Sequence, residues 1–250
     1  MTGRLLVRGM LVGLIAGLLA FGFAKVFGEP QVDQAIAFEE SMGHAHSHGD
    51  AGADTDTNTE ELVSRGVQGG FGLLTGVLVY SVSLGGIFSL VFAYALGRIG
   101  RVGPRGLSAL LALAAFVVVF LIPGLKYPPN PPSVGDADTI GLRTQLFFLI
   151  MLVSVIAAVI SINLGRKLIV RNGLWSGAMS GVALYLVIVS VAACLFPTIN
   201  EVPEHFSAVL LWKFRTAALG IQIVLWTSLG LIFGKVAEQM LIPSRKAVGV

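Results

Sequence analysis

The chain has 250 residues, of which 55 % are hydrophobic and only 12 % charged. A water-soluble domain carries about 25 % charged residues, and here the apolar residues come in long blocks with no helical stripes, which excludes a soluble enzyme and indicates an all-α polytopic membrane protein. The net charge of +3 does not point to nucleic acid, because the basic residues flank the apolar blocks, and the lone Cys194 forms no intrachain disulfide.

The first predicted span is Gly9 to Val26, preceded by Arg4 and Arg8. A cleaved signal peptide has a similar layout. The length of this apolar run, and a face of Gly13, Ala16, Gly17 and Ala20 suited to helix packing, favour a retained span.

Residues 29–61 form a polar external loop that holds nine of the fourteen carboxylates. Low hydrophobicity and many Asp, Thr and Gly predict disorder here. His44, His46 and His48 alternate, and in an extended segment side chains two apart point the same way, so three imidazoles can meet one ion, with Asp50 adding an oxygen. Such a set suits Co²⁺, Ni²⁺, Zn²⁺ or Cu²⁺ and selects poorly among them. The plainer alternative is a solvated linker.

The second span covers 66–96, with a break or kink expected at Ser81–Gly86. The third covers 106–125. Then comes KYPPNPPSVGD, Lys126 to Asp136; five of the ten prolines fall between Pro123 and Pro132. Proline fixes φ and lacks an amide donor, so this is a stiff elbow that holds Asn130 and Asp136 in place. As a mere connector it would only set the spacing of two helices. The fourth, fifth and sixth spans cover 146–164, 174–196 and 208–234. The loop after the fifth carries Glu201, Glu204 and His205, ligand types at a weakly specific spacing. Trp175, Trp212 and Trp226 read as interface anchors.

Six spans put both termini on one side. That side holds Arg4, Arg8, Arg98, Arg101, Arg105, Arg166, Lys167, Arg171, Lys235, Arg245 and Lys246, eleven of the 17 Lys and Arg. The excess makes it cytoplasmic. Thirteen of fourteen carboxylates and all four histidines then lie outside, on a face that attracts cations.

A repeat runs through the spans. The even ones end at Leu96-Gly97-Arg98, Leu164-Gly165-Arg166 and Phe233-Gly234-Lys235. They begin with an Arg and a nearby Gln: Arg65 and Gln68, Arg143 and Gln145, Arg215 and Gln222. This predicts three parallel helical hairpins. No charge lies deep in any span, so an intramembrane carboxylate relay is missing. No phosphate loop or hydrolase motif is present. The polar groups left for a pathway are Gln68, Gln145, Asn163 and Gln222, which also serve to bond helix to helix.

KYPPNPPSVGDADTIGLRTQLFF resembles the central signature of the CbtA family of cobalt transporter subunits, and LLWKFRTAALGIQIVLWTSLGLIFGK resembles its second signature. Where that family has Phe-Pro-Ala before the last helix, this chain has Phe206-Ser207-Ala208. The resemblance implies a non-enzymatic membrane subunit for Co²⁺ uptake in the cell membrane of a prokaryote, with a small single-span partner subunit. No permanently bound cofactor is expected; surrounding lipid and further copies of the chain are the other partners. The His loop would collect the ion, and the proline and Glu201–His205 loops would shape the mouth. The rival functions are a metal-binding sensor or chaperone without flux, and a structural scaffold.

Overall fold

The computed structural model describes residues 2–47, 64–100 and 102–241, by backbone alone over 42–47. Among the described residues the chain is all helical. Six helices are long and apolar enough to cross a membrane: Thr2–Ser41, Arg65–Ala95, Pro104–Lys126, Ala137–Asn172, Leu174–Leu195 and Ala208–Leu241. These are the six expected spans, the first, fourth and sixth of them prolonged by polar turns. The helices fall into two compact units. One takes the chain up to Ala114, Pro131–Ser133 and the chain from Ser207 on; the other takes Ala115–Asn130 and Val134–Phe206.

In the first unit, spans one and two meet along small residues. A Cβ on Gly9 would stand 2.5 Å from the Ser89 Cβ, and one on Gly85 would stand 2.9 Å from the Gly13 Cα. Without side chains in the way the two backbones touch, and in lipid that packing holds the pair. Ser81, Gly85, Gly86 and Ser89 are therefore buried in this seam, and the helix Leu73–Ala95 passes through them unbroken. No break occurs there, because the small residues serve close packing. The irregular turn lies earlier, as π-helix over Gln68–Gly72.

Span six packs on spans one and three within the same unit. Ser108 Oγ, fully buried, donates to the Gly230 carbonyl at 2.6 Å, and Arg105 pairs with Glu238 at 2.5 Å. Phe233 is enclosed, with the Phe88 and Phe92 rings edge-on at 5.5 and 5.1 Å. Trp226 is only 4 % exposed, so it belongs to this core and is no interface anchor; Trp175 and Trp212, at 81 % and 70 %, remain on the surface.

In the second unit, span five lies on span four, where Gly177 and Gly181 approach Gly165 and Ser161. Ser154 Oγ donates to the Val118 carbonyl at 2.8 Å, in the π-helical stretch Phe116–Leu121 of span three, and lies 2.8 Å from the Tyr185 hydroxyl. Spans one and two thus share the small-residue seam of the first unit, and spans four and five that of the second.

Residues 29–47 differ from expectation. They continue the first span as a helix, Glu29–Ser47, after a π-helical turn at Ala24–Gly28. Composition predicts disorder there, but Gln31, Gln34, Ala35, Ala37, Glu39 and Glu40 are sound helix formers, and Ala35 is fully buried. In a helix, residues two apart do not share a face. The extended geometry invoked for His44 and His46 is thus not the one their backbone adopts. His48 and Asp50 lie outside the described residues.

Candidate functional site

Pro123 lies inside the third span, directly after the π-helical stretch Phe116–Leu121, where the regular i→i−4 ladder is already interrupted and a missing amide donor costs less. After Tyr127 the four prolines of residues 128–132 keep the chain out of helix, and it re-enters only at Asp136. There the Asp136 carboxylate caps a single 3₁₀ turn, Ala137–Thr139, by accepting the Asp138 amide at 3.0 Å. The fourth span follows, with Arg143 one turn inside it.

These residues converge on one carboxylate. Glu201 Oε2 accepts from the Asp136 amide at 2.9 Å and from the Thr139 hydroxyl at 2.9 Å, and Arg143 Nε stands 3.4 Å away. The same guanidinium donates from Nη2 to the Asp136 carbonyl at 2.9 Å. The Asp136 amide and the Thr139 hydroxyl, with Arg143 beside them, hold Glu201 below the ordinary glutamate range. It is an ionised acceptor with its donors already supplied. A second tie joins the same two loops: the Tyr127 hydroxyl donates to the Pro197 carbonyl at 2.8 Å.

Gly135 makes room for this clasp. Its φ of +114° is a conformation that side chains disfavour, and a Cβ there would overlap the Arg143 guanidinium. Ser207 accepts the Leu210 amide at 3.3 Å and caps the last helix.

Of the residues singled out from the sequence, Asp136 and Glu201 are brought together. Glu204 and His205 are exposed, and among the described residues no three His, Cys, Asp or Glu side chains gather as a metal site. Asn163 is exposed and bonds its own helix at the Val159 carbonyl, 2.9 Å away. Gln145 is exposed as well, while Asn130 and Gln68 are each engaged with partners. Gln222 bonds the Tyr80 hydroxyl between spans six and two, and its Oε1 is buried with no bonding partner among the described residues.

A related arrangement occurs in the first unit. Arg65 Nη2 lies 2.9 Å from both Glu29 and Asp33, and Lys25 Nζ donates to the Gly69 carbonyl at 2.8 Å. Arg65 and Arg143 open the second and fourth spans, and each closes on a glutamate that follows an odd span. Thr139, Arg143 and Gly135 escaped the sequence reading as site residues. Arg143 was visible as a member of the repeat, but its partner is remote in the chain and no local signal names it.

The chemistry on offer is held negative charge at the loop ends of the spans. The model of the CbtA family, described as a probable cobalt transporter subunit, matches residues 2–238. No curated protein and no solved structure shows a significant match. The chain belongs to the CbtA family, as the proline-loop and last-helix signatures imply.

Proposed function

We propose that this CbtA chain is the membrane subunit through which a divalent transition-metal ion, Co²⁺ foremost, enters the cell across a prokaryotic cytoplasmic membrane. The observation that carries the proposal is the family match over nearly the whole chain, on a body of six apolar helices. The basic excess at both termini supports a cytoplasmic placement for them, with the proline loop and the 197–207 loop outside. A divalent ion moving inward gains about 4.6 kcal/mol per 100 mV of inside-negative potential. The chain therefore needs no motor of its own. Its family name as a subunit supports a partner, for which a small single-span protein is our choice.

Within this proposal, His44, His46, His48 and Asp50 collect the ion, as do Glu204 and His205 on the exposed loop. Imidazole and carboxylate together serve Co²⁺, Ni²⁺ and Zn²⁺ alike. Glu201 has a different part. With Arg143 and two hydrogen-bond donors on it, it fixes the mouth and leaves Asp136 and Asn130 at a set position. A preorganised mouth loses less entropy when an ion binds. Gln222, with its unpartnered carbonyl oxygen beside Tyr80, is the intramembrane group best fitted to replace a water of hydration, and Gln68 is the second candidate.

Cells with and without the gene, offered Co²⁺, Ni²⁺ and Zn²⁺ in turn, test the proposal. Uptake of Co²⁺ should fall on deletion and return on complementation. Unchanged uptake of all three ions, with metal still bound to the purified protein, would mean a sensor or scaffold.

A further inference from the structure

The helix Glu29–Ser47 is not used by the clasp, yet it is held at two places. It leaves the first span through the π-helical turn Ala24–Gly28 with helical angles at both ends, Phe23 at φ −65°, ψ −44° and Glu29 at φ −53°, ψ −43°. Its 19 residues make an arm about 28 Å long at about 1.5 Å per residue. At the base Arg65 grips Glu29 and Asp33, one turn apart on one face. Farther along, Ser133 Oγ donates to the Ala35 carbonyl at 2.9 Å and stands 3.2 Å from Glu39 Oε2. Ala35 and Glu39 are also one turn apart, on a face rotated by roughly 120° from the first. Two grips on different faces fix both the tilt and the rotation of a rod.

Ser133 is unusual in its own right. Its φ is +68°, and it is the only non-glycine residue with positive φ among the described residues. A strained backbone persists where its surroundings over-determine it. Here prolines 131 and 132 precede it and its hydroxyl docks on the arm. The stiffness of the proline loop thus has a second use besides the mouth: it holds a serine in a costly conformation against a helix far away in sequence.

We propose that residues 29–47 are a rigid presenting arm and that Ser133 is its positioning residue, acting with Arg65 to hold the histidine-bearing end in one place. The proposal rests on the metal-uptake reading for its purpose but not for its geometry. The two can fail separately.

The test uses the full chain with Cys194→Ser, and spin labels at Ala37→Cys on the arm and Val67→Cys at the start of span two. Both positions are exposed. Without metal, the distance distribution between the labels should be narrow in the parent. It should broaden with Ser133→Ala, which keeps the strain and removes the hydroxyl. Ser133→Gly relaxes the backbone, so it folds at least as readily, and it should broaden the distribution as well. Equally narrow distributions in parent and both variants would overturn the proposal, and a loosened arm in Ser133→Ala but not in Ser133→Gly would show that loop strain and not the hydroxyl controls it. In uptake, Ser133→Ala should raise the half-saturating Co²⁺ concentration several-fold and spare the maximal rate. If the parent shows no uptake while the distances change as stated, the transport reading fails and the arm stands.

Discussion

Arg143 and Glu201 form an ion pair at 3.4 Å, and through it the proline loop and the loop after the fifth span become one piece. The guanidinium also reaches the Asp136 carbonyl, so a single side chain holds both the acid and the loop that donates to it. A fork of fixed donors is what this position requires. Arg143→Lys keeps the charge but offers one point in place of two. It should lower the melting temperature in detergent nearly as much as Arg143→Gln. Full stability in the lysine variant would show that charge alone matters.

Glu201 titrates below the ordinary glutamate value of 4.5, by its bonds to the Asp136 amide and the Thr139 hydroxyl and by Arg143. A carboxylate lowered in the folded state adds stability above its unfolded value and loses it as pH falls through the lowered one. Between pH 8 and about pH 5 the clasp should therefore be insensitive to pH, with its loss confined to the acid side of the ordinary glutamate range. Glu201→Gln should flatten that acid limb of the melting curve. An unchanged limb in the variant would place the acid transition elsewhere.

Gly135 is needed twice, for its φ of +114° and for the room it gives Arg143. Gly135→Ala should cost about 1–3 kcal/mol, the range for a strained backbone position. Gly124, with open space around its Cα and no positive φ, is the control: Gly124→Ala should be neutral or stabilising.

Asp136 separates mouth from connector. Its carboxylate caps one turn, and asparagine caps as well as aspartate. Asp136→Asn should then fold and insert at normal levels, so any fall in Co²⁺ uptake reports the missing charge. Normal uptake in this variant would remove Asp136 from the mouth. Pro129→Ala with Pro131→Ala loosens the shape and keeps the charge, and should lower protein levels first.

The six spans were legible because twenty or so apolar residues in a row have one solution in lipid. The family was legible in the proline block, since few segments have four prolines in five residues. The arm was not. Its acids and histidines read as a disordered metal-collecting loop, and only Arg65, on another span, and Ser133, in another loop, turn Glu29, Asp33 and Ala35 into a docked helix. The clasp was half legible. Asp136 and Glu201 stood out as outer carboxylates, but their junction depends on Arg143 and Thr139, and nothing in the local pattern says which acid an arginine will find. The helix runs on without a break at Ser81–Gly86 for a related reason: small residues weaken a lone helix and strengthen a packed one.

The account turns on inward passage of a divalent ion, and one measurement addresses it directly. Right-side-out membrane vesicles from cells that carry the chain and its native partners are loaded with K⁺, given an inside-negative potential, and supplied with radioactive Co²⁺. We expect Co²⁺ that resists removal by external chelator, rises with the imposed potential and is missing from vesicles that lack the chain. Co²⁺ that chelator strips completely, in the same amount with and without the potential, would contradict the account.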